Sequence, residues 1–191
     1  MDKRNQISKP ILLRGKPGIG KTTIIKKLCE KLPRESTQGF YTIEVRDGSE
    51  RIGFDVVTLS GKRGILARKN TSFPRKVGKY GVDVVSFEEI ALPELQIREQ
   101  TKLIIIDEIG KMECFSGKFV QQVQLLFNSH FRIIATIPIY ELSLVRTLLK
   151  NHTCKVIEIT YANRDHLSLP PLLFVLLYLC QHFLIEFLLN I

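Results

Sequence analysis

The chain has 191 residues, a length suited to one globular domain with a sizeable core. Hydrophobic residues make up 45% and charged residues 25%, which excludes a chain that is disordered throughout. The four cysteines are scattered without a C-x-x-C pair, so we expect a reducing compartment and no structural zinc. Because the N-terminus leaves no room for a secretory apolar segment before the first predicted strand, we expect a cytoplasmic protein.

The net charge of +9 is concentrated in the N-terminal half of the chain. Residues 1–80 contain 19 of the 28 Lys and Arg residues but 7 of the 19 Asp and Glu residues. This charge is consistent with an electropositive face for polyphosphate or nucleic acid, or with a solvated surface that uses a few charges at a nucleotide site. No basic run is interleaved with aromatic residues, so nucleic acid is not an expected partner.

The first predicted elements enclose a phosphate-binding loop. The apolar run Pro10–Leu13 predicts a buried strand, and Gly15–Thr22 fits the pattern G-x-x-x-x-G-K-[ST]. The next apolar residues fall at helical spacing, and they are Ile24, Ile25, Leu28 and Leu32. A strand, a glycine loop and a helix N-terminus in this order make an anion site.

Each required position of the loop has its own task. The glycines let backbone N–H groups turn toward phosphate oxygens, Lys21 brings a positive charge to the β- and γ-phosphates, and the Thr22 hydroxyl can bind magnesium (Mg²⁺). The predicted nucleotide-binding residues here are Gly15, Lys16, Pro17, Gly18, Ile19, Gly20, Lys21, Thr22 and Thr23.

A β-rich block follows the first helix. Gly39–Leu59 reads as a hairpin with its turn at Asp47-Gly48, and a second turn leads into a strand at Ile65–Ala67. Tyr80–Val85 is predicted as a further strand. We interpret this block as an insertion on a parallel α/β core.

The core then resumes with alternating strands and helices. The predicted segments are a strand at Leu103–Ile106, a helix at Phe115–Phe127, a strand at Phe131–Ala135, a helix at Tyr140–Lys150 and a strand at Lys155–Thr160. The expected fold is α/β: a P-loop NTPase with a mostly parallel sheet flanked by helices, and a β-hairpin-rich insertion after the first helix. Ligands of such sheets bind at the carboxyl ends of the strands.

Asp107 and Glu108 follow an apolar strand, which is the Walker B pattern. Asp107 is expected to hold Mg²⁺, and Glu108 is expected to orient a water molecule for in-line attack on the γ-phosphorus. The alternative is that both carboxylates only cap the end of the strand. Thr136, after the next strand, either senses the γ-phosphate or is an ordinary structural residue.

Phosphoryl transfer requires further positive charge near the departing phosphate. Lys111 is the best-positioned candidate by sequence, because it closely follows the Walker B strand. The insertion offers Arg46, Arg51, Arg63 and Arg68, and the alternative for each is a solvated surface charge.

Four blocks together carry a family resemblance: Gly15–Thr23, Gly39–Thr42, Ile52–Gly61 and Asp107–Glu113. They resemble the cancer-related nucleoside-triphosphatase family, whose archaeal and bacterial members are called thermophilic-type NTPases. The likeness covers about residues 10–167. It implies slow, Mg²⁺-dependent hydrolysis of ATP, GTP, CTP and UTP to the diphosphate and phosphate, with little base selectivity. We expect a monomer.

The resemblance extends to the loop after the last strand. Asn163-Arg164-Asp165 matches the family's loop there, which implies contact between Arg164 and the base. The same residues are also suited to capping the helix that follows.

The chain departs from the family at its C-terminal end. We expect a P-loop NTPase domain over residues 1–166 and an atypical apolar tail over residues 167–191. Residues 172–191 are long enough to cross a bilayer, although Glu186 opposes insertion. The tail is interpreted as a membrane anchor, an interfacial or partner-binding helix, or a splice-derived end that packs poorly, and the last is preferred. Membrane contact is expected only through this tail.

Two other functions remain open. A P-loop nucleotide or nucleoside kinase would need a site for an acceptor. A nucleic-acid-binding protein switched by nucleotide would use the basic N-terminal half.

Overall fold

The computed structural model describes residues 9–167. The elements in this range are β1 (Ile11–Arg14), α1 (Lys21–Cys29), β2 (Thr37–Asp47), β3 (Glu50–Thr58), β4 (Arg63–Lys69), β5 (Arg75–Val77), β6 (Tyr80–Val82), α2 (Val84–Ala91), β7 (Leu103–Ile106), α3 (Gly117–Phe127), β8 (Arg132–Ile137), α4 (Ser143–Asn151), β9 (Lys155–Glu158) and α5 (Arg164–Leu167). Short 3₁₀ turns occupy Arg34–Ser36, Leu92–Leu95 and Glu113–Phe115.

The described strands form one sheet in the order β5-β6-β4-β3-β2-β7-β8-β1-β9. Strands β2, β7, β8, β1 and β9 are parallel to one another, while β3, β4, β6 and β5 extend the sheet beyond β2 in antiparallel pairs. The predicted insertion therefore continues the core sheet. Its first strand, β2, pairs directly with the strand that precedes Asp107.

The parallel strands are apolar on both faces because helices cover both. On β1, Leu12 contributes to the cluster that includes residues of α2, α3 and α4, whereas Ile11 and Leu13 contribute to the cluster that includes residues of α1. Alternate residues of a strand point to opposite faces, so this division follows from the strand period of two. Burial on both faces explains the unbroken apolar runs of the sequence.

Three phenylalanines join the hairpin to the helices on one face. Phe40 of β2, Phe87 of α2 and Phe119 of α3 are fully or almost fully buried, with ring centroids 5.3 to 6.1 Å apart in edge-to-face contacts. Such contacts add about 0.5–1.5 kcal/mol per pair beyond area burial. They fix β2 beside the core.

The predicted hairpin is confirmed, with Asp47 opposite Glu50 around the turn. The prediction of a strand over Tyr80–Val85 is wrong beyond Val82, because α2 begins at Val84. The side chain of Asp83 accepts a hydrogen bond from the backbone N–H of Ser86 over 3.0 Å and caps the helix. This cap outweighs the strand preference of the two valines that follow Asp83.

The remaining predicted core elements are present with shifted ends. The strand predicted over Lys155–Thr160 ends at Glu158, and the helix predicted from Tyr140 begins at Ser143. Between residues 9 and 167 no helix is long and apolar enough to span a membrane. The predicted tail, residues 167–191, lies outside the described residues except for Leu167.

Candidate active site

The phosphate-binding loop connects β1 to α1 at the carboxyl edge of the sheet. Gly20 precedes α1 with φ 112°, a conformation that favours glycine, and no side chain caps this end of the helix. The first turn also contains no acidic residue. Its backbone N–H groups are therefore suited to an anion.

Lys21 lies at the start of α1 with only 5% of its side chain exposed. Its Nζ donates to the carbonyl oxygens of Gly15 at 3.0 Å and Lys16 at 3.4 Å. The same ammonium lies 3.3 Å from Oε2 of Glu108. The loop lysine and the second Walker B carboxylate are thus in direct contact.

Asp107 is completely buried at the end of β7. Thr136 donates its hydroxyl hydrogen to Oδ1 at 2.6 Å, Thr22 donates to Oδ2 at 2.8 Å, and the backbone N–H of Thr42 donates to Oδ2 at 3.4 Å. Burial raises the pKa of Asp107, and these hydrogen bonds and the charge of Lys21 only partly oppose the rise. The structure therefore brings together predicted residues from the loop, β7 and β8.

The predicted metal ligands fit Mg²⁺ in chemistry and spacing. Thr22 Oγ1 and Asp107 Oδ2 are oxygen donors 2.8 Å apart. Neighbouring ligands of an octahedral Mg²⁺ with bonds of about 2.1 Å are separated by about 3.0 Å. The pair can therefore occupy two adjacent positions around the ion with little movement.

Glu108 is joined to Asp107 by a cis peptide bond and is partly exposed, at 26% of its side chain. Burial raises the pKa of Glu108, Lys21 lowers it, and the negative charge of Asp107 raises it further; the net shift is upward. A carboxylate with a raised pKa is a better proton acceptor at neutral pH. Glu108 thus has the position and the basicity expected of a general base.

A second carboxyl group, Glu113, lies behind Glu108. A Cβ placed on Gly110 would lie 2.6 Å from Oε2 of Glu113 and 3.3 Å from Oε1 of Glu108, so both carboxyl groups lie close to this glycine. Burial raises the pKa of Glu113 to about 8, with a further contribution from the charge of Glu108. Glu113 was not predicted as a site residue, although it closes the Asp107–Glu113 block.

A cavity of about 460 Å³ opens beside Lys21 and Glu108. One wall is formed by the loop and α1. The opposite wall is formed by the β2–β3 hairpin, and its residues are Thr42, Ile43, Glu44, Arg51 and Phe54. The sequence contained no signal for this second wall except the family blocks in which Thr42 and Phe54 lie.

Of the cationic candidates predicted in addition to Lys21, one lines this cavity. Arg51 does, whereas Lys111 is exposed and is not among the lining residues. Arg46 hydrogen bonds to Glu44 and to the carbonyl oxygen of Ser49, outside the lining set. The sequence-based preference for Lys111 over Arg51 therefore finds no support in the geometry.

The other two arginines are bound to a buried carboxylate. Arg63 and Arg68 both form ion pairs with Asp55, whose side chain is 5% exposed. A buried charge requires such partners, so these arginines stabilise the sheet extension. This arrangement favours a structural role for both arginines over a role in phosphoryl transfer.

Arg164 lies on another flank of α1. It lines a smaller cavity of about 150 Å³ together with Thr23 and Lys27, and its guanidinium lies 4.9 Å from the ring centroid of Tyr161. Thr23 lines both cavities, so the two are adjacent along the start of α1.

Comparison with known proteins gives consistent matches. The model of a family described as NTPase matches residues 10–170. The chain is 46% identical over 168 residues to nucleoside-triphosphatase THEP1 of Thermotoga petrophila, covering 87% of this chain and 92% of that protein. It is 44% identical over 177 residues to the human cancer-related nucleoside-triphosphatase, covering 84% and 93%.

Among solved structures, the crystal structure of THEP1 from the hyperthermophile Aquifex aeolicus is similar in fold. It superposes with a TM-score of 0.76 at 40% identity, covering 83% of this chain and 94% of that one. The α/β fold described above is therefore shared with this protein.

Proposed function

The chain belongs to the NTPase family, and from that premise we propose that it hydrolyses nucleoside triphosphates to nucleoside diphosphates and phosphate with Mg²⁺. The observation that carries the proposal is the contact between Lys21 of the loop and Glu108, next to the buried Asp107. Relatives that cover most of the chain are named nucleoside-triphosphatases.

The loop and Lys21 bind the triphosphate. The ammonium of Lys21 contacts two loop carbonyl oxygens and Glu108. Phosphate oxygens are stronger acceptors than backbone carbonyls, so a bound nucleotide replaces the two carbonyl contacts of Lys21. Thr22 and Asp107 would hold Mg²⁺, which neutralises charge on the phosphate oxygens when bound.

Glu108 accepts the proton of the attacking water. The water oxygen forms a bond to the γ-phosphorus, and the bond from that phosphorus to the bridging oxygen breaks with its electrons on the diphosphate. The released proton passes to the carboxylate of Glu108, which is ionised while Lys21 lies beside it. The products are a nucleoside diphosphate and inorganic phosphate.

We place the base beside Arg164 on the flank of α1. The small cavity there begins at Thr23, next to the phosphate loop, and the guanidinium of Arg164 offers a flat cation for stacking. Stacking accepts any base, which agrees with use of ATP, GTP, CTP and UTP. We propose that the protein acts as a monomer in the cytoplasm.

The two alternative functions are less well supported. A kinase must keep water from the γ-phosphate. Here Glu108, which is suited to accept a proton from water, lies 3.3 Å from Lys21, the lysine that would bind that phosphate. Some of the positive charge of the basic N-terminal half is paired within the sheet, since Arg63 and Arg68 both contact the buried Asp55. Paired arginines are poorly available to a nucleic-acid backbone.

The proposal is tested by phosphate release from ATP, GTP, CTP and UTP, each with Mg²⁺ and with EDTA. We expect release from all four only with the metal, and loss of nucleotide binding in Lys21→Ala. An Arg164→Ala variant is expected to weaken nucleotide affinity without a change in base preference. Phosphate release by Lys21→Ala equal to that of the wild type would contradict the proposed site.

A further inference from the structure

The main cavity has cations on both of its walls. Among residues 9–167 the lysines and arginines that line it are Lys21, Lys26 and Arg51. Lys21 and Lys26 belong to α1, whereas Arg51 belongs to the hairpin wall. A triphosphate held by the loop therefore has positive charge behind it from Lys21 and in front of it from the hairpin.

Lys26 is poorly placed to reach the terminal phosphate. It lies five residues beyond Lys21 on α1, or about 7.5 Å farther along the helix axis. Its ammonium lies 5.1 Å from the ring centroid of Tyr41, which lines a separate groove together with Cys29 and Leu32. The hairpin arginine is the remaining candidate.

Arg51 is held in one orientation by four groups. Its Nη1 donates to Oε1 of Glu44 at 2.7 Å and its Nε donates to the hydroxyl oxygen of Tyr80 at 3.0 Å. The guanidinium carbon lies 5.1 Å from the ring centroid of Phe54 and 5.7 Å from that of Tyr80. An arginine fixed in this way loses little conformational freedom when it binds an anion.

The hairpin that carries Arg51 is tied to the metal-binding carboxylate. The backbone N–H of Asp107 donates to the carbonyl oxygen of Phe40 at 3.1 Å, and Phe40 pairs with Ile106 on β7 and with Thr58 on β3. Strand pairing therefore anchors the base of the hairpin beside Asp107, and Arg51 lies farther along the same hairpin, opposite Arg46.

From these contacts we propose that Arg51 binds the γ-phosphate during hydrolysis and neutralises the negative charge that develops as it departs. The inference rests on the proposed triphosphatase function and names the residue that supplies the extra cation within the same chain. The phosphate competes with Glu44 for the guanidinium, because both are anions within reach of one donor group.

Arg46 is a matched control for this proposal. It lies opposite Arg51 in the β2–β3 pair and forms an ion pair with the same carboxylate, Glu44. Its side chain is 52% exposed and does not line the cavity. Loss of either arginine removes one ion pair from Glu44, but only Arg51 faces the nucleotide site.

The experiment compares the wild type with Arg51→Ala, Arg51→Lys and Arg46→Ala. For each protein, kcat and KM for MgATP are measured, together with the dissociation constants of MgADP and of MgADP with aluminium fluoride, which mimics the phosphate in transfer.

We expect Arg51→Ala to lower kcat by about 100-fold and to weaken the affinity for MgADP with aluminium fluoride by a similar factor. The affinity for MgADP alone should change less than about threefold. Arg51→Lys keeps the charge but loses the planar fork, so we expect a partial recovery.

Arg46→Ala is expected to match the wild type in all of these measurements. The proposal is overturned if Arg51→Ala keeps kcat and aluminium fluoride capture within about threefold of the wild type, or if Arg46→Ala loses as much as Arg51→Ala. The ratio of the two dissociation constants is measured on folded protein only, so a loss of stability in Arg51→Ala does not obscure the result. Failure of the proposed triphosphatase function would look different from failure of the Arg51 role. In that case the wild type would bind MgADP but release no phosphate from any triphosphate.

Discussion

Thr136 donates its hydroxyl hydrogen to Oδ1 of Asp107 over 2.6 Å, and both side chains are completely buried. Thr22 occupies the other oxygen at 2.8 Å. The carboxylate is therefore oriented by one threonine from β8 and another from α1. This orientation directs Oδ2 toward the phosphate loop, where a metal ion bound to a nucleotide must lie.

Replacing Thr136 by valine removes the donor while it keeps the shape of the side chain. We expect the free energy of unfolding to fall by about 2 kcal/mol, because a hydrogen bond to a buried charged group is lost. Affinity for MgADP should also fall, since Asp107 loses its orientation. Denaturant unfolding and calorimetric titration measure the two effects. Thr136→Ser keeps the hydroxyl and should retain the affinity; equal losses in both variants would contradict the role of this hydrogen bond.

Replacing Glu108 by glutamine keeps the size of the side chain and removes its basicity. We expect phosphate release to slow by about 100-fold or more, the usual contribution of a general base. The affinity for MgADP should be unchanged or higher, because an anion beside Lys21 is removed. Single-turnover phosphate release and nucleotide titration provide the measurement. A variant with full turnover would show that another group accepts the proton.

Glu113→Gln is expected to change how stability depends on pH. The pKa of Glu113 is about 8 in the folded protein against 4.5 as the ordinary value, so the folded state binds more protons between these pH values. The wild type should therefore lose up to about 1.4 kcal/mol of stability per pH unit through this group as pH rises across the window. Below about pH 4.5 the group contributes no such loss.

The measurement is urea unfolding of wild type and Glu113→Gln at pH 5, 6.5 and 8. The stability of the variant relative to the wild type should increase as pH rises. Replacement of the exposed Glu89 by glutamine serves as the control. Its stability relative to the wild type should not increase with pH in this way. Parallel stability curves for wild type and Glu113→Gln would contradict the burial of a protonated carboxyl group.

Gly39→Ala is expected to prevent folding. The residue has φ 130°, and an added Cβ would lie 1.9 Å from the carbonyl oxygen of Ile105, with which Gly39 is paired between β2 and β7. The clash is with backbone, so it can be relieved only by separating the two strands. Gly48→Ala is the control: φ is 54° and the space around it is open, so it should cost about 1 kcal/mol. Circular dichroism and thermal unfolding distinguish the two, and a cooperatively folded Gly39→Ala would refute the prediction.

Local patterns were sufficient for most of the fold. The phosphate loop, the hairpin turn at Asp47-Gly48 and the buried strand before Asp107 each have a signal within a few residues, and the structure contains all three. Helix α2 was missed because Val84 and Val85 favour strands, although Asp83 three residues before Ser86 carried the capping signal. The pairing of the predicted insertion with β7 had no local signal.

The residues of the candidate site likewise include some that motifs predict and some that they do not. Lys21, Thr22 and Asp107 belong to motifs and could be predicted from spacing alone. Arg51 could not be separated from Lys111, because the choice depends on which side chain reaches the cavity across the hairpin. That information lies in the pairing of β2 with β3 and β7, which no short stretch of sequence contains.

Strand β2 belongs to both halves of the sheet. Its residues Thr37–Phe40 pair with β7, and Phe40–Asp47 pair with β3. The register shift in the second pairing occurs between Val45 and Arg46, well past the residues beside Asp107. A continuous strand resists bending, so the part of β2 between Phe40 and Val45 is held at a constant position relative to β7, and the register shift lies beyond it, beside Arg51. The width of the cleft next to Asp107 is therefore set by the pairing of the sheet.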